Sequence, residues 1–253
     1  MRAAFAVISR APTGLGRGPS CGCFVAGMPG PHGHSDGEAP PQHQGTKSSA
    51  ERWSDLPPGQ HPVATLPAVS RRAAPTIDLE KWTLTLTTER GQLAAWDWAS
   101  LSALPQVPLE TDVHCVQGWS LVASSWVGVP VRLLMSGLDM SASYAVATGA
   151  DGYHACLPLD DLLEMPTWVA LRHAGRPLSP AHGAPARLLV PHLYLHQSVK
   201  WLTSIALTDH NIPGTPATLG LHPYGDPWRQ QRYRDHGPPP TRTPDQPTTQ
   251  PER

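Results

Sequence analysis

The chain has 253 residues, of which 30 are proline and 22 glycine, about one residue in five against an ordinary ~12%. With 40% hydrophobic residues it has material for one core and low-complexity ends rather than two full domains. A formal net charge of −1 without blocks of like charge offers no extended attraction for nucleic acid or anionic lipid, and the absence of a run of about 18 uninterrupted apolar residues excludes a spanning helix.

Residues 1–55 lack a sustained hydrophobic period and are expected to form a disordered head. Ala3 to Ile8 is apolar, but Arg10 ends the stretch before a secretory core is established, and Arg71-Arg72 is not followed by the apolar run of a twin-arginine signal. A cytoplasmic location follows by default, with Met28 as an alternative start. Cys21 and Cys23 stand too close for an ordinary bridge, so Cys115 and Cys156 could make at most one pair, and free thiols in a reducing compartment are expected.

The apolar-periodic part runs from about Thr76 to Asp209. Trp82, Leu84 and Leu86 alternate with Thr83, Thr85 and Thr87, the period of a half-buried strand, which Gly91 is expected to close. Asp97 to Leu104 reads as a short capped helix stopped by Pro105. Thr111 to Val116 reads as a strand, and Val129 to Leu134 as a short helix with a Gly137 stop. Ser143 to Thr148 and His154 to Leu157 are strands joined by the Asp151-Gly152 turn. Leu159 to Leu163 is a helix ended by Pro166, and strands follow at Trp168 to Arg172, Arg187 to Val190 and Leu202 to Leu207. Beyond His210 the chain reads as loop, and residues 236–253 as a disordered Pro/Thr tail. Short helices among short strands, with no Gly-rich strand-to-helix turn, indicate a mixed, mainly antiparallel α+β domain over residues 56–235.

Familiar catalytic patterns are absent: no P-loop, no G-x-G-x-x-G, no H-E-x-x-H and no nucleophile elbow. The histidines do not make a zinc pattern, since His32, His34 and His43 fall in the head and His192 and His196 lack a companion carboxylate or cysteine in the nearby sequence.

Asp112-Val113-His114-Cys115-Val116-Gln117-Gly118-Trp119-Ser120, followed by Trp126-Val127-Gly128-Val129-Pro130, resembles the molybdenum-ligand segment of the sulfite-oxidase-like, molybdopterin-dependent oxidoreductases, specifically the bacterial single-domain type. The resemblance continues co-linearly through Asp151-Gly152-Tyr153, Leu157 to Leu163, His182-Gly183-Ala184-Pro185-Ala186-Arg187, Pro191 to Tyr194, Ser198-Val199-Lys200-Trp201 and Gly225-Asp226-Pro227-Trp228. It implies a sulfite-oxidase-type fold holding molybdenum–molybdopterin, with Cys115 as catalytic ligand to the metal. A thiolate is a soft donor, and dithiolene sulfurs complete the set, so no second ligand motif is required. The resemblance also implies pterin contacts at His182, Arg187, Ser198 and Lys200; a planar guanidinium and a point ammonium are suited to the phosphate. Lys200 is one of only three lysines, with Lys47 and Lys81.

Trp119, Trp126 and Trp201 are expected as apolar walls, Tyr153 as a structural residue beneath the site and Cys156 as a buried thiol. The implied reaction is oxygen-atom transfer to or from a small substrate, sulfite-like or an S- or N-oxide, by a monomer that exchanges electrons with a separate protein. Two departures, Leu195-His196 where the family has a glycine and the short stretch between Leu56-Pro57-Pro58-Gly59-Gln60 and Trp82, motivate the alternative of a non-catalytic binding module that keeps the fold.

Overall fold

The computed structural model describes residues 55–70, 73–138 and 141–234. The expected head up to residue 54 and the tail from residue 236 lie outside the described residues, as do Cys21, Cys23, Met28, Lys47, the histidines at 32, 34 and 43, and Arg71-Arg72.

Two sheets of short strands organise the rest. In the first, β1 (His61–Pro62), β5 (Trp119–Pro130), β8 (Trp168–His173) and β10 (Arg187–Leu189) are hydrogen-bonded in that order, with β4 (Val107–His114) on β5 and β9 (Arg176–Pro177) on β8. The second has the order β3 (Gly91–Asp97), β2 (Thr83–Thr88), β11 (Leu202–Thr208), β6 (Tyr144–Gly149) and β7 (His154–Pro158). Strand pairs are antiparallel except β1 with β5 and β2 with β11. This is the mixed, mainly antiparallel α+β architecture that the strand periods indicate.

The local signals act as their chemistry requires. Leu84 and Leu86 of β2 point into the core while Thr83, Thr85 and Thr87 are more exposed. The Asp97 carboxylate caps α1 (Trp98–Ala103) by accepting from the Ser100 N–H at 2.7 Å. The Asp151 carboxylate accepts from the Tyr153 N–H at 3.0 Å, closing the turn between β6 and β7. Two further helices, α2 (Val131–Leu134) and α3 (Leu159–Leu163), follow Pro130 and Pro158, whose fixed φ suits the residue before a helix.

Four expectations are corrected. Gly91 does not end a lone strand; it opens β3, which folds back on β2 through the Glu89-Arg90 turn. The strand placed at Thr111 to Val116 spans Val107–His114, stopping before Cys115 because the chain turns there, with the Gly118 N–H donating to the Cys115 carbonyl at 2.9 Å. Val129 and Pro130 are not helical: they are the end of the twelve-residue strand β5, paired with Val169 and Trp168. The loop after His210 contains one helical turn, α4 (Thr215–Thr218).

Two apolar clusters result. The larger draws on both sheets, with Leu84, Leu86, Ala147, Leu157, Val169, Leu188 and Ile205 among its buried members. The smaller packs Val113, Cys115, Trp119, Leu121, Trp126, Ala170 and Leu189. Cysteines 115 and 156 are both free and buried. Among the described residues no helix is long and apolar enough to cross a membrane.

Candidate functional site

The turn between β4 and β5 places a sulfur in the wall of a cavity. Antiparallel pairing carries β4 to His114, and the Cys115 N–H then donates to the Trp119 carbonyl at 2.8 Å, so Cys115 to Trp119 close a tight loop at the mouth of the hairpin. Gly118 sits at φ 97°, a conformation that a side chain would strain, which explains a glycine in this turn. Gln60 braces the loop from the N-terminal segment: its amide nitrogen donates to the Cys115 carbonyl at 3.1 Å, and its amide oxygen accepts from the Ser120 hydroxyl at 3.1 Å.

Cys115 opens onto a cavity of about 840 Å³ whose walls also include Trp119, Arg187, Ser198, Lys200 and Trp201. Burial pushes the Cys115 thiol up from its ordinary range; the Gln117 N–H and the charges of Arg232 and Lys200 oppose that push.

The cationic part of the wall is built by β10 and the loop leading to β11. Arg187 is 2% exposed. Its guanidinium donates to the Ser198 carbonyl at 2.9 Å and the His182 carbonyl at 3.3 Å and lies 5.7 Å from the Trp126 ring centroid. Among the described residues it has no carboxylate partner, and burial lowers it to about 10. A buried cation without an anion is a costly arrangement that a bound anion would relieve.

Lys200 donates to the Val69 and Ala181 carbonyls at 2.7 and 2.6 Å; burial, followed by the Arg187 charge, lowers it to about 8. The approach of these two cations depends on Gly183, at φ 104°, where a Cβ would stand 3.0 Å from the Lys200 Cβ and 3.2 Å from the Arg187 Cβ. Trp201 holds a left-handed backbone at φ 52°, a strained conformation for a bulky residue, fixed by its indole N–H donating to the Pro180 carbonyl at 2.8 Å.

Of the residues the family resemblance assigns, Cys115, Arg187, Ser198 and Lys200 share the one cavity. Ser198 is buried, with its hydroxyl accepting from the Val190 N–H at 2.9 Å. His182 is arranged differently. It is not among the residues lining the cavity; its ring nitrogens pair with the Ser179 hydroxyl at 2.8 Å and the Leu66 carbonyl at 3.1 Å, so it fixes the Leu66 segment and supplies a carbonyl to Arg187. Trp119 and Trp201 are cavity walls, whereas Trp126 is fully buried behind them. Tyr153 also lines the cavity, its hydroxyl donating to the His196 carbonyl at 2.6 Å.

His196, the bulky residue where a glycine is expected, is accommodated by another glycine: a Cβ on Gly225 would stand 2.7 Å from its ring. Burial lowers His196 to about 4, keeping the imidazole neutral. His192 does have an acidic neighbour that sequence spacing hides, Asp161 of α3 at 3.5 Å, but no cluster of three or more metal-ligating side chains exists among the described residues.

Sequence reading missed Gln60 and Arg232. Both act through fold contacts made from segments distant in sequence, and Arg232 lies in a stretch that carries no strand or helix period.

The chain is similar to several known proteins. The family described as "Oxidoreductase molybdopterin binding domain" matches residues 71–215. The uncharacterized oxidoreductase YuiH of Bacillus subtilis (strain 168) is 33% identical over 192 residues, 75% of this chain and 97% of that one. A candidate protein-methionine-sulfoxide reductase subunit, YedZ1 of Azospira oryzae (strain ATCC BAA-33 / DSM 13638 / PS), is 32% identical over 122 residues, 47% of this chain and 46% of its own length. The sulfane dehydrogenase SoxCD from Paracoccus pantotrophus shares the fold, with a TM-score of 0.50 and 19% identity over 56% of this chain and 42% of that chain.

Proposed function

Because the chain belongs to the family of oxidoreductase molybdopterin-binding domains, we propose that it holds molybdenum–molybdopterin and moves an oxygen atom to or from a small substrate, with Cys115 as the protein ligand to the metal. The observation that carries the proposal is one cavity lined by both a buried thiol and the buried, unpaired cation Arg187. The residues fit such a cofactor in two respects. Arg187 lacks an anion, which a phosphate supplies, and the buried Trp119 indole N–H on the cavity wall has no protein acceptor among the described residues, which suits an acceptor-rich ring.

Arg187 and Lys200 would bind the phosphate, Ser198 would tie the loop that carries Lys200 to the end of β10, and Trp119 and Trp201 would exclude water from the reacting centre. Gln60 and the Cys115–Trp119 loop would fix the direction of the sulfur. When bound, the molybdenum centre supplies the two-electron exchange that accompanies oxygen-atom transfer. A separate electron donor or acceptor protein completes the cycle, a reading supported by the subunit wording in the name of the Azospira relative.

The test is metal and pterin content. Protein purified from a molybdopterin-competent host is expected to carry molybdenum and oxidisable pterin, and Cys115→Ser to lose turnover while retaining the fold and the pterin. A folded wild type containing neither overturns the proposal and favours the non-catalytic module. With the cofactor present, turnover of sulfite and of sulfoxides with an artificial electron donor or acceptor identifies the substrate class.

A further inference from the structure

Residues 219–234 follow the family-matched stretch, which ends at residue 215, yet they form part of the cavity wall: Leu219, Leu221 and Tyr233 all line it. This segment is strapped along the site. The Tyr194 N–H donates to the Gly225 carbonyl at 2.8 Å, the Gln197 amide donates to the Tyr224 carbonyl at 2.9 Å, and the His196 ring meets the His222 carbonyl at 3.2 Å.

At its end stands Arg232, 5% exposed. Its guanidinium donates to the Val116 carbonyl at 2.8 Å, inside the cysteine loop, and to the Pro58 and Gly59 carbonyls at 3.1 Å each, while lying 5.2 Å from the Tyr194 ring centroid. One planar side chain thereby joins three stretches far apart in sequence: the C-terminal strap, the loop that carries Cys115, and the N-terminal segment whose Gln60 braces the same loop.

Among the described residues, the hydrogen-bond acceptors of Arg232 are neutral carbonyls. The guanidinium stands at the carbonyl of Val116, the residue that follows Cys115. A lysine could not reproduce the arrangement, because an ammonium cannot span several carbonyls with the fixed fork of a guanidinium.

We infer that Arg232 is the positioning residue of Cys115: it holds the Cys115–Trp119 loop in its observed shape and keeps a positive charge at the backbone of that loop. The inference rests on the cofactor reading only for the effect of that charge on a bound metal; the loop-holding role concerns the protein alone.

The experiment compares wild type with Arg232→Gln, Arg232→Lys and Arg234→Gln. Arg234, whose guanidinium donates to the Ala217 carbonyl at 2.9 Å on the same strap, is the control for general damage to the segment. Two readouts are taken. The first is hydrogen exchange of the Cys115 and Gly118 amides in the cofactor-free full-length chain. The second is the reduction potential and Mo(V) paramagnetic resonance spectrum of the loaded protein.

Arg232→Gln is expected to speed exchange at both amides by about tenfold, the loss expected on removing a charge-assisted hydrogen bond. It is also expected to lower the potential and alter the spectrum. Arg232→Lys should restore the potential toward wild type and only part of the protection, separating charge from shape; Arg234→Gln should move neither. Unchanged exchange and potential in Arg232→Gln, or equal changes in Arg234→Gln, overturn the inference. If Arg232→Gln does not fold, the lysine variant decides: full protection with lysine overturns the requirement for the guanidinium fork. A wild type without molybdenum defeats the cofactor reading, while the exchange measurement still decides the positioning role.

Discussion

The larger apolar cluster is filled mainly by aliphatic side chains from both sheets, and the one indole among its buried members in the described residues, Trp82, donates to the Leu202 carbonyl at 3.1 Å. The smaller cluster around Cys115 holds two tryptophans, Trp119 and Trp126, whose buried indole nitrogens find no acceptor among the described residues, and it abuts the unpaired charge of Arg187. Burying donors and charge without partners opposes folding, so the first cluster contributes more to stability, whereas in and beside the second Trp119 and Arg187 face the cavity, where a ligand would supply partners. Among the described residues, buried polar atoms without a hydrogen-bond partner occur on the cavity-lining Trp119 and His196 and also away from the cavity, on Trp126, Trp168 and His192, so it is the coincidence of Trp119 with Arg187 and Cys115 on one wall that marks the site.

That contrast can be broken at its stable side first. Ile205 is 2% exposed in the centre of β11, between β2 and β6. Ile205→Ala is expected to cost about 3 kcal/mol in denaturant-monitored unfolding, with cofactor content per folded molecule unchanged. A loss of pterin exceeding the loss of folded protein would show that the two clusters do not act separately.

On the site side, Arg187→Met replaces a buried charge by a side chain of similar length. Unfolding of the cofactor-free chain is expected to change by less than about 2 kcal/mol, because removal of the desolvated charge offsets the lost carbonyl contacts. Pterin content should fall about tenfold, the effect of one lost charge-assisted contact. A variant that keeps its pterin would remove Arg187 from the cofactor contacts.

An effect confined to acid pH is a slope in stability. His196 is lowered to about 4 by burial, below its ordinary 6.5, so between these values the unfolded chain binds the proton and the folded chain does not. Its contribution is therefore fully present above about pH 6.5 and is lost as pH falls toward 4, amounting to roughly 2–3 kcal/mol at the acid end. Stability curves of wild type and His196→Leu should diverge in slope only within that window; parallel curves would assign the acid sensitivity to another group.

Much of this was legible in the chain itself. Trp82-Thr83-Leu84-Thr85-Leu86 specifies a strand because its period matches the pleat, and Asp97 and Asp151 specify a cap and a turn through short-range hydrogen bonds. The segment from Asp112 to Ser120 carries the resemblance to the family, since the motif is local. The long strand β5 was harder to read: its Ala-, Ser- and Gly-rich middle breaks the alternation, and its regularity comes from pairing with β4 on one side and β8 on the other.

By itself the sequence determined the α+β class, the two thiols of the described fold and the family, because each depends on residues adjacent along the chain or on a co-linear pattern. Only the tertiary structure decided that His182 secures the Leu66 segment instead of lining the cavity, that Gly225 makes room for His196, and that Arg232 reaches Val116, Pro58 and Gly59. These depend on which distant segments meet, and a buried guanidinium acquires its role from the carbonyls that packing brings within its reach, which local periodicity does not encode.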